Sequence, residues 1–283
     1  MKLKNPGAQL YVPDGVSLKE ALARTTHMGI GAHPDDLEIL GYHGILQCFQ
    51  SEEEWFFGVV VTDGSASPRD LDYAQYTDED MRRVRAKEQK KAAVVGEYSG
   101  LAMLDYTSPA TKDPANEDVV EDLRALLEAA QPQMLYTHNL ADKHDTHIAA
   151  ALKAVRAVRL LPTQAKPKKM YGCEVWRDLD WLVNDDKVAL EVSAHENLAT
   201  ALVGIFDSQV CGGKRYDLAT MGRRRANATY HATHGTDITT GLIFAMDMTP
   251  LVEDPSLDLF EFVSSYIKRF ADDVGARIKK LSS

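Results

Sequence analysis

Two short segments carry the side chains best suited to chemistry, His33-Pro34-Asp35-Asp36 and His144-Asp145-Thr146-His147. Residues three apart around a helical turn face the same way, so His33 and Asp36 can converge on one ion. Asp35 lies about 100° away around such a turn and is left unligated beside them. A spare carboxylate next to an acidified water is what a hydrolase needs as its general base. His147 falls in the first turn of the helix that follows, where the positive helix end favours a neutral, metal-binding imidazole. His144 stands just before that helix and can point into the same crevice. His33, Asp36 and His147 then make three protein ligands with a fourth position open, the pattern of catalytic zinc. Each segment alone has a plainer reading. Asp35 and Asp36 would cap a helix, and His144 and His147 would be surface histidines. Two such clusters, each directly after a strand, favour the metal.

The elements around these segments must deliver them to one place. Residues 26–32 read as a short buried strand, and 37–49 have helical spacing at Leu37, Leu40, Ile45 and Cys48. Residues 55–62 are apolar without alternation, as expected of a strand covered on both faces. A polar loop over 63–78 precedes a charged helix over 79–97, a strand over 101–104, a helix over 118–130, a strand over 133–137 and a helix over 146–159. This alternation predicts an α/β fold, a mostly parallel sheet with helices on both faces. Ligands then bind beyond the carboxyl ends of the strands. Strands over 168–176, 187–192 and 241–248 and helices over 194–206, 216–229 and 257–281 complete the chain. No linker is evident, so the expectation is a single domain over 1–283, with a core at about 26–160 and a C-terminal extension at 161–283.

Composition narrows the partners. The 283 residues are 45% hydrophobic, carry a formal charge of −10, and show no basic cluster to offset it. That argues against a nucleic-acid groove or an anionic membrane as partner. No run of 18 apolar residues is present, which excludes a spanning helix on hydropathy. The lysines at the start are followed by no apolar stretch of the signal-peptide kind. Cys48, Cys173 and Cys211 are too widely spaced for a disulfide framework or a metal knuckle, and the expectation is three reduced thiols in a cytoplasmic protein. A homo-oligomer is left open. Arg223-Arg224-Arg225 is read as forming salt bridges on a helix. His27, His43, His195 and His231 are read as packed or solvated, and His138 and His234 stay outside the ligand set.

At its motifs the sequence resembles the PIG-L/LmbE-like de-N-acetylases. Ala32-His33-Pro34-Asp35-Asp36 matches that family's first metal motif, and Glu38, Gly41 and Gly44 match residues that follow it. Thr62-Asp63-Gly64, Arg85-Ala86-Lys87-Glu88 and His144-Asp145-Thr146-His147 match its later motifs, over about residues 26–150. The resemblance implies a Rossmann-like fold, zinc on His33, Asp36 and His147, and Asp35 as base. It further implies that His144 assists the transition state and that Arg85 and Asp105 contact the substrate, an N-acetylated amino sugar or conjugate. There are departures: Tyr42-His43 in place of a second glycine, Leu104-Asp105-Tyr106 in place of Leu-Pro-Asp-Gly, and no glutamate in 241–244. The alternatives are an amidase for a non-sugar N-acyl group or thiol conjugate, and a catalytically silent metal-binding or assembly subunit. A non-haem iron oxygenase would share the two-histidine, one-carboxylate set but needs a sandwich of short strands. A nucleotide-binding enzyme would need a GxGxxG turn where His33-Pro34-Asp35-Asp36 stands.

Overall fold

The computed structural model describes residues 1–282. The first half of the chain runs β1 (Gln9–Tyr11), α1 (Leu18–Ala23), β2 (His27–Gly31), α2 (Asp36–Leu40), α3 (Tyr42–Cys48), β3 (Phe56–Thr62), α4 (Asp78–Val95), β4 (Gly100–Tyr106), α5 (Ser108–Lys112), α6 (Glu117–Ala130), β5 (Met134–His138) and α7 (Asp145–Arg159). The second half adds β6 (Lys169–Cys173), β7 (Val188–Glu191), α8 (Glu196–Gly204), α9 (Asp207–Val210), α10 (Tyr216–Tyr230), β8 (Leu242–Asp247), α11 (Thr249–Glu253) and α12 (Leu259–Ser282).

All eight strands form one sheet in the order β1-β4-β3-β2-β5-β6-β8-β7. The central five, β4 to β6, are mutually parallel. β1 runs antiparallel on β4, and β8 runs antiparallel between β6 and β7. The fold is therefore α/β, with a mixed but mostly parallel sheet. From β2 the chain steps outward through β3 to β4, then returns past β2 to β5 and out to β6. The reversal leaves a crevice at the carboxyl ends of β2 and β5, the place where open α/β sheets bind ligands. β6, β8 and β7 extend the same sheet.

Two buried clusters explain the unbroken apolar strands. Val59 and Val61 face a layer with Leu22 of α1, Leu123 and Leu127 of α6 and Ala154 and Val158 of α7. Phe56 and Val60 face Leu37 of α2, Ile45 of α3, Ala92 of α4 and Leu202 of α8. In α6 the apolar positions Val119, Val120, Leu123, Leu126, Leu127 and Ala130 recur at three and four residues, so one stripe meets the sheet. No helix among the described residues is long and apolar enough to cross a membrane.

Two expectations are corrected here. The helix over 37–49 is broken at Gly41, which separates α2 from α3. At the break the carbonyls of Glu38 and Ile39 accept from the Arg224 guanidinium of α10, at 2.8 and 3.3 Å. Arg224 is buried over the Tyr42 ring, 4.5 Å from its centroid. So of the three arginines only Arg225 makes a salt bridge, to Glu196, while Arg223 donates to the Val175 carbonyl. The other difference is at the N-terminus, where β1 and α1 are too short to show periodicity.

His27 and His43 sit on either side of Tyr136. His27 is stacked on its ring at 6.1 Å, and His43 Nδ1 lies 2.9 Å from its hydroxyl. Burial lowers both imidazoles to about 4. Between about pH 6.5 and 4 the unfolded chain takes up protons on these groups that the folded chain refuses, so stability falls as pH falls through that window. For His27 the loss reaches about 2 kcal/mol at pH 5. We expect urea unfolding of His27→Gln to show a smaller loss between pH 7 and pH 5 than wild type. Equal losses would mean that His27 is not buried neutral.

Candidate metal centre

The first loop is a tight turn, not a helical one. Asp36 N donates to the His33 carbonyl at 3.2 Å, Pro34 takes the second position, and Asp35 takes the third with φ 94° and ψ −27°. These are the features of a type II turn. His33 and Asp36 therefore meet because the chain reverses, and His33 N–H donates to Asp36 Oδ2 at 2.6 Å. This corrects the helical reading of their spacing. A left-handed, non-glycine residue such as Asp35 costs on the order of 1–2 kcal/mol. Gln89 Oε1 holds it there by accepting from Asp35 N at 3.1 Å. Gly31 makes room for the turn, since a Cβ there would lie 2.9 Å from Asp36 Cβ.

The second loop brings His147 to this turn. His33 Nδ1 lies 3.2 Å from Asp36 Oδ2 and 3.2 Å from His147 Nε2, and His147 Nε2 lies 3.5 Å from Asp36 Oδ1. A tetrahedral ion with arms of about 2.0–2.1 Å has ligand–ligand edges of about 3.3–3.4 Å. The donors are of the right type for a dication and converge on one place, although His33 and His147 approach different oxygens of Asp36; His33, His144 and His147, and likewise Asp36, His138 and His147, each lie close enough together to hold an ion. His147 Nδ1 faces Asp142 Oδ2 at 3.2 Å, which fixes the proton on Nδ1 and leaves the Nε2 lone pair for a metal. His138 also lies close, with Nε2 3.3 Å from Asp36 Oδ2. That nitrogen accepts the Ala32 N–H at 2.9 Å, a bond it would have to give up to bind an ion, although Asp36, His138 and His147 lie close enough together to share one. Its place is beside the centre, stacked on His147 at 3.9 Å.

Charge follows geometry. Burial opposes ionisation of Asp36, but the His147 and His138 rings, when protonated, hold its carboxyl well below the usual range. Burial lowers His147 to about 4, so it is neutral and available as a donor. For Asp35 burial dominates, and the neighbouring Asp36 adds to it against the pull of Arg85, so its carboxyl is pushed up to about 7. A bound dication would draw it down from there.

Asp35 Oδ2 lies 3.0 Å from an Arg85 guanidinium nitrogen. Arg85 also donates to Ser67 Oγ at 2.5 Å and to the Pro34 carbonyl. Gly64, at φ +70°, passes so close that a Cβ would lie 3.0 Å from Arg85 Cδ. Beneath the turn, Gln89 Nε2 and the Tyr98 hydroxyl donate to Glu38 Oε1, both at 2.7 Å. Glu38 is fully buried, and burial pushes it up to about 7.

The turn, Arg85 and His147 open into one cavity of about 440 Å³, while Glu38, Gln89, Tyr98, His138 and Asp142 are buried outside its lining. His33, Asp35, Asp36, Arg85, His144 and His147 line it, so the structure gathers six of the seven site residues read from sequence. His144 is stacked on His147 at 4.4 Å, and its Nδ1 is buried with no hydrogen-bond partner among the described residues. Asp105 is not brought there. It has φ 61°, and its Oδ1 accepts from Arg82 Nε at 2.7 Å on the outer side of α4. Sequence reasoning missed Asp142, Gln89 and the walls Trp176, Lys214 and Tyr216. Only Asp142 left a trace, as an acid in the loop between β5 and His147. A larger groove, about 640 Å³, lies between β1 and α4 with Arg82, Arg83, Lys87, Lys90 and Lys91 along it. This basic strip corrects the reading of a chain without one; it holds none of the donors of the metal centre.

Residues 28–158 match the family model for PIG-L, the GlcNAc-PI de-N-acetylases. The match covers less than half of the chain and bears out, over that segment, the resemblance to the PIG-L/LmbE-like de-N-acetylases. No curated protein matches the chain. Among solved structures, GalB, the 4-carboxy-2-hydroxymuconate hydratase of Pseudomonas putida, is similar with TM-score 0.60 and 15% identity over 80% of this chain and 96% of that one. N,N'-diacetylchitobiose deacetylase of Pyrococcus horikoshii gives TM-score 0.58 and 17% identity over 78% and 84%. A deacetylase of teicoplanin biosynthesis gives 0.55 and 16% over 78% and 98%. At these identities the likeness is one of fold. The matched segment contains His33, Asp35, Asp36 and His147, whereas Trp176, Lys214 and Tyr216 lie beyond it.

Asp142 offers a clean test of the centre. Its Oδ1 accepts the Lys143 and Arg177 N–H groups at 2.6 and 3.1 Å, while Oδ2 faces His147 and accepts the Trp176 N–H at 3.3 Å. Asp142→Asn can keep the Oδ1 contacts through its amide oxygen and lose the imidazole partner together with the long bond to Trp176. We expect zinc affinity, read by competition with a chromogenic chelator, to fall about 10- to 100-fold with little change in stability. Unchanged affinity would remove His147 from the ligand set. Gly64→Ala should cost about 1–3 kcal/mol in denaturant unfolding, since it strains the backbone and pushes on Arg85.

Proposed function

We propose that the protein is a zinc-dependent hydrolase that removes the acetyl group from an N-acetylated amino sugar or sugar conjugate. One observation carries this reading: two imidazole nitrogens and the Asp36 carboxylate, within 3.5 Å of one another, share a cavity with a carboxylate, Asp35, that is not among them. Zinc held by His33, Asp36 and His147 would supply Lewis acidity, polarising a carbonyl and letting water lose a proton near neutral pH.

The chain's own groups do the rest. Asp35, fixed by Arg85 and by its left-handed backbone, accepts the proton of the attacking water. Arg85 is occupied by Asp35, Pro34 and Ser67, so it orients the base, and contact with substrate is secondary. His144 lines the same cavity, with its Nδ1 free of hydrogen bonds among the described residues, and we assign it to the developing oxyanion, as the family resemblance implies. Asp35 or His144 returns a proton to the departing amine. Trp176 and Tyr216, 6.4 Å apart and at 88°, give the cavity an aromatic wall suited to the apolar face of a sugar ring.

Support for the substrate comes from the family and from the fold neighbours that act on sugar conjugates. A hydratase among those neighbours means that the fold alone does not select deacetylation. An N-acyl substrate other than a sugar uses the same centre and is the runner-up. Cys48, Cys173 and Cys211 are free, which suits a reducing compartment such as the cytoplasm. The test is acetate release from a panel of N-acetylated sugars by zinc-loaded protein, with metal content measured alongside. Chelation should abolish turnover and added zinc restore it. Asp35→Asn should keep its zinc and lose about 10²–10⁴-fold in kcat. Near-wild-type turnover in that variant would show that Asp35 is not the base, and zinc-loaded protein inert on every N-acyl compound would refute the hydrolase.

A further inference from the structure

The last helix leaves the body of the protein with an apolar seam uncovered. Leu259, Phe262 and Tyr266 pack one side of α12 against the core, and the Phe270 ring meets Trp181 at 6.3 Å. Beyond Phe270 the helix runs on to Ser282 almost wholly exposed. Phe260, Ile267, Phe270, Val274, Ile278 and Leu281 are between 38 and 84% exposed. At about 100° per residue these six fall within about 80° of arc, so they line one side of the helix. A projecting helical stretch of this length is marginal in water unless its apolar side packs on something. A seam this long on the surface of a single chain marks a place of contact.

The order of residues along the seam says what covers it. With Val263 and Ala271 included, the apolar positions are 260, 263, 267, 270, 271, 274, 278 and 281, and their spacing is the same read from either end. Laid antiparallel on a copy of itself with Phe260 level with Leu281, the seam meets only itself. Val263 then faces Ile278, Ile267 faces Val274, and Phe270 faces Ala271. The charges follow the same rule. Glu261, Lys268, Asp272 and Lys279 share one flank, about 100–140° around the helix from Ile267. In this alignment Lys268 of one copy comes beside Asp272 of the other, and Glu261 beside Lys279. A parallel pair would set each of these charges against its own like.

We propose that two copies of the protein associate through α12, as antiparallel helices related by a two-fold axis between residues 270 and 271. Such a contact is self-complementary and closed, as a two-fold interface requires. The exposed parts of the six side chains amount to about 600 Å². The stems of the flanking lysines and glutamate bring this near the roughly 800 Å² per partner of a stable interface. A membrane is a poorer occupant, because Glu261, Asp272 and Asp273 stand on the polar side in a chain of charge −10. The dimer forms whatever reaction the metal centre performs.

Sedimentation velocity of the full-length protein at concentrations up to about 100 μM tests this, and we expect a species of twice the chain mass. Val274→Glu/Ile278→Glu puts charge on the seam beyond the last contact with the body. It should raise the dimer Kd about 30-fold or more and leave the near-ultraviolet circular dichroism of the body unchanged. Lys268→Glu and Asp272→Lys each set like charges across the pair and should weaken it about 10-fold. Mixed together, these two variants should pair with each other and return to within about 3-fold of the wild-type Kd, since each offers the charge the other lacks. A wild type that stays monomeric throughout overturns the dimer, whether or not it binds phosphatidylcholine–phosphatidylglycerol vesicles. A dimer that survives Val274→Glu/Ile278→Glu lies elsewhere and overturns it equally. A mixture no tighter than either variant alone overturns the antiparallel pairing.

Discussion

The buried charge of Asp36 is the constraint on which the rest of the site depends. A carboxylate with 2% exposure is costly unless something positive or hydrogen-donating surrounds it. Here it meets the His33 backbone N–H and two imidazoles whose nitrogens point inward. Electron-rich atoms gathered this closely repel one another unless a cation or a proton lies among them. The fold accepts that tension because the sheet leaves no alternative: β2 and β5 are adjacent and parallel, and both loops emerge at the same end.

Around this charge the chain builds rigidity by long-range contacts. Gln89 of α4 joins the Asp35 backbone to Glu38, and Tyr98, in the turn between α4 and β4, donates to the same Glu38 oxygen. Arg224 of α10 ties off the carbonyls exposed by the break at Gly41. Glu88 anchors α9 by accepting from Ser208 N and Oγ at 2.8 and 2.6 Å. Each of these is a buried polar group with a specific partner, and together they restrict the turn to one geometry.

What could be read from sequence follows from range. His33, Asp35, Asp36, His144 and His147 are clustered locally and flank strands with strong apolar runs, so both the cluster and its place in the sheet were legible. Asp142 was not, because a lone acid in a loop acquires meaning only when the fold sets it against His147. Arg224 looked like one of three surface arginines, and nothing local announces that its partners are carbonyls near residue 38. Asp105 shows the opposite case: it was expected at the substrate although its stretch departs from the family's motif, and the structure draws it aside to Arg82 with a left-handed backbone. The break at Gly41 belongs with these, since the helical periodicity runs on through it.

The site is assembled from two stretches of chain with different histories open to them. The donors and the base come from the first 158 residues, on parallel strands whose register leaves little freedom. The aromatic wall and Lys214 come from the later part, on a loop and helix that touch the centre without holding it. Mutation can therefore remodel selectivity in the second stretch while the chemical step stays intact. Descendants of one ancestor could keep the same reaction yet diverge widely in the molecules they accept.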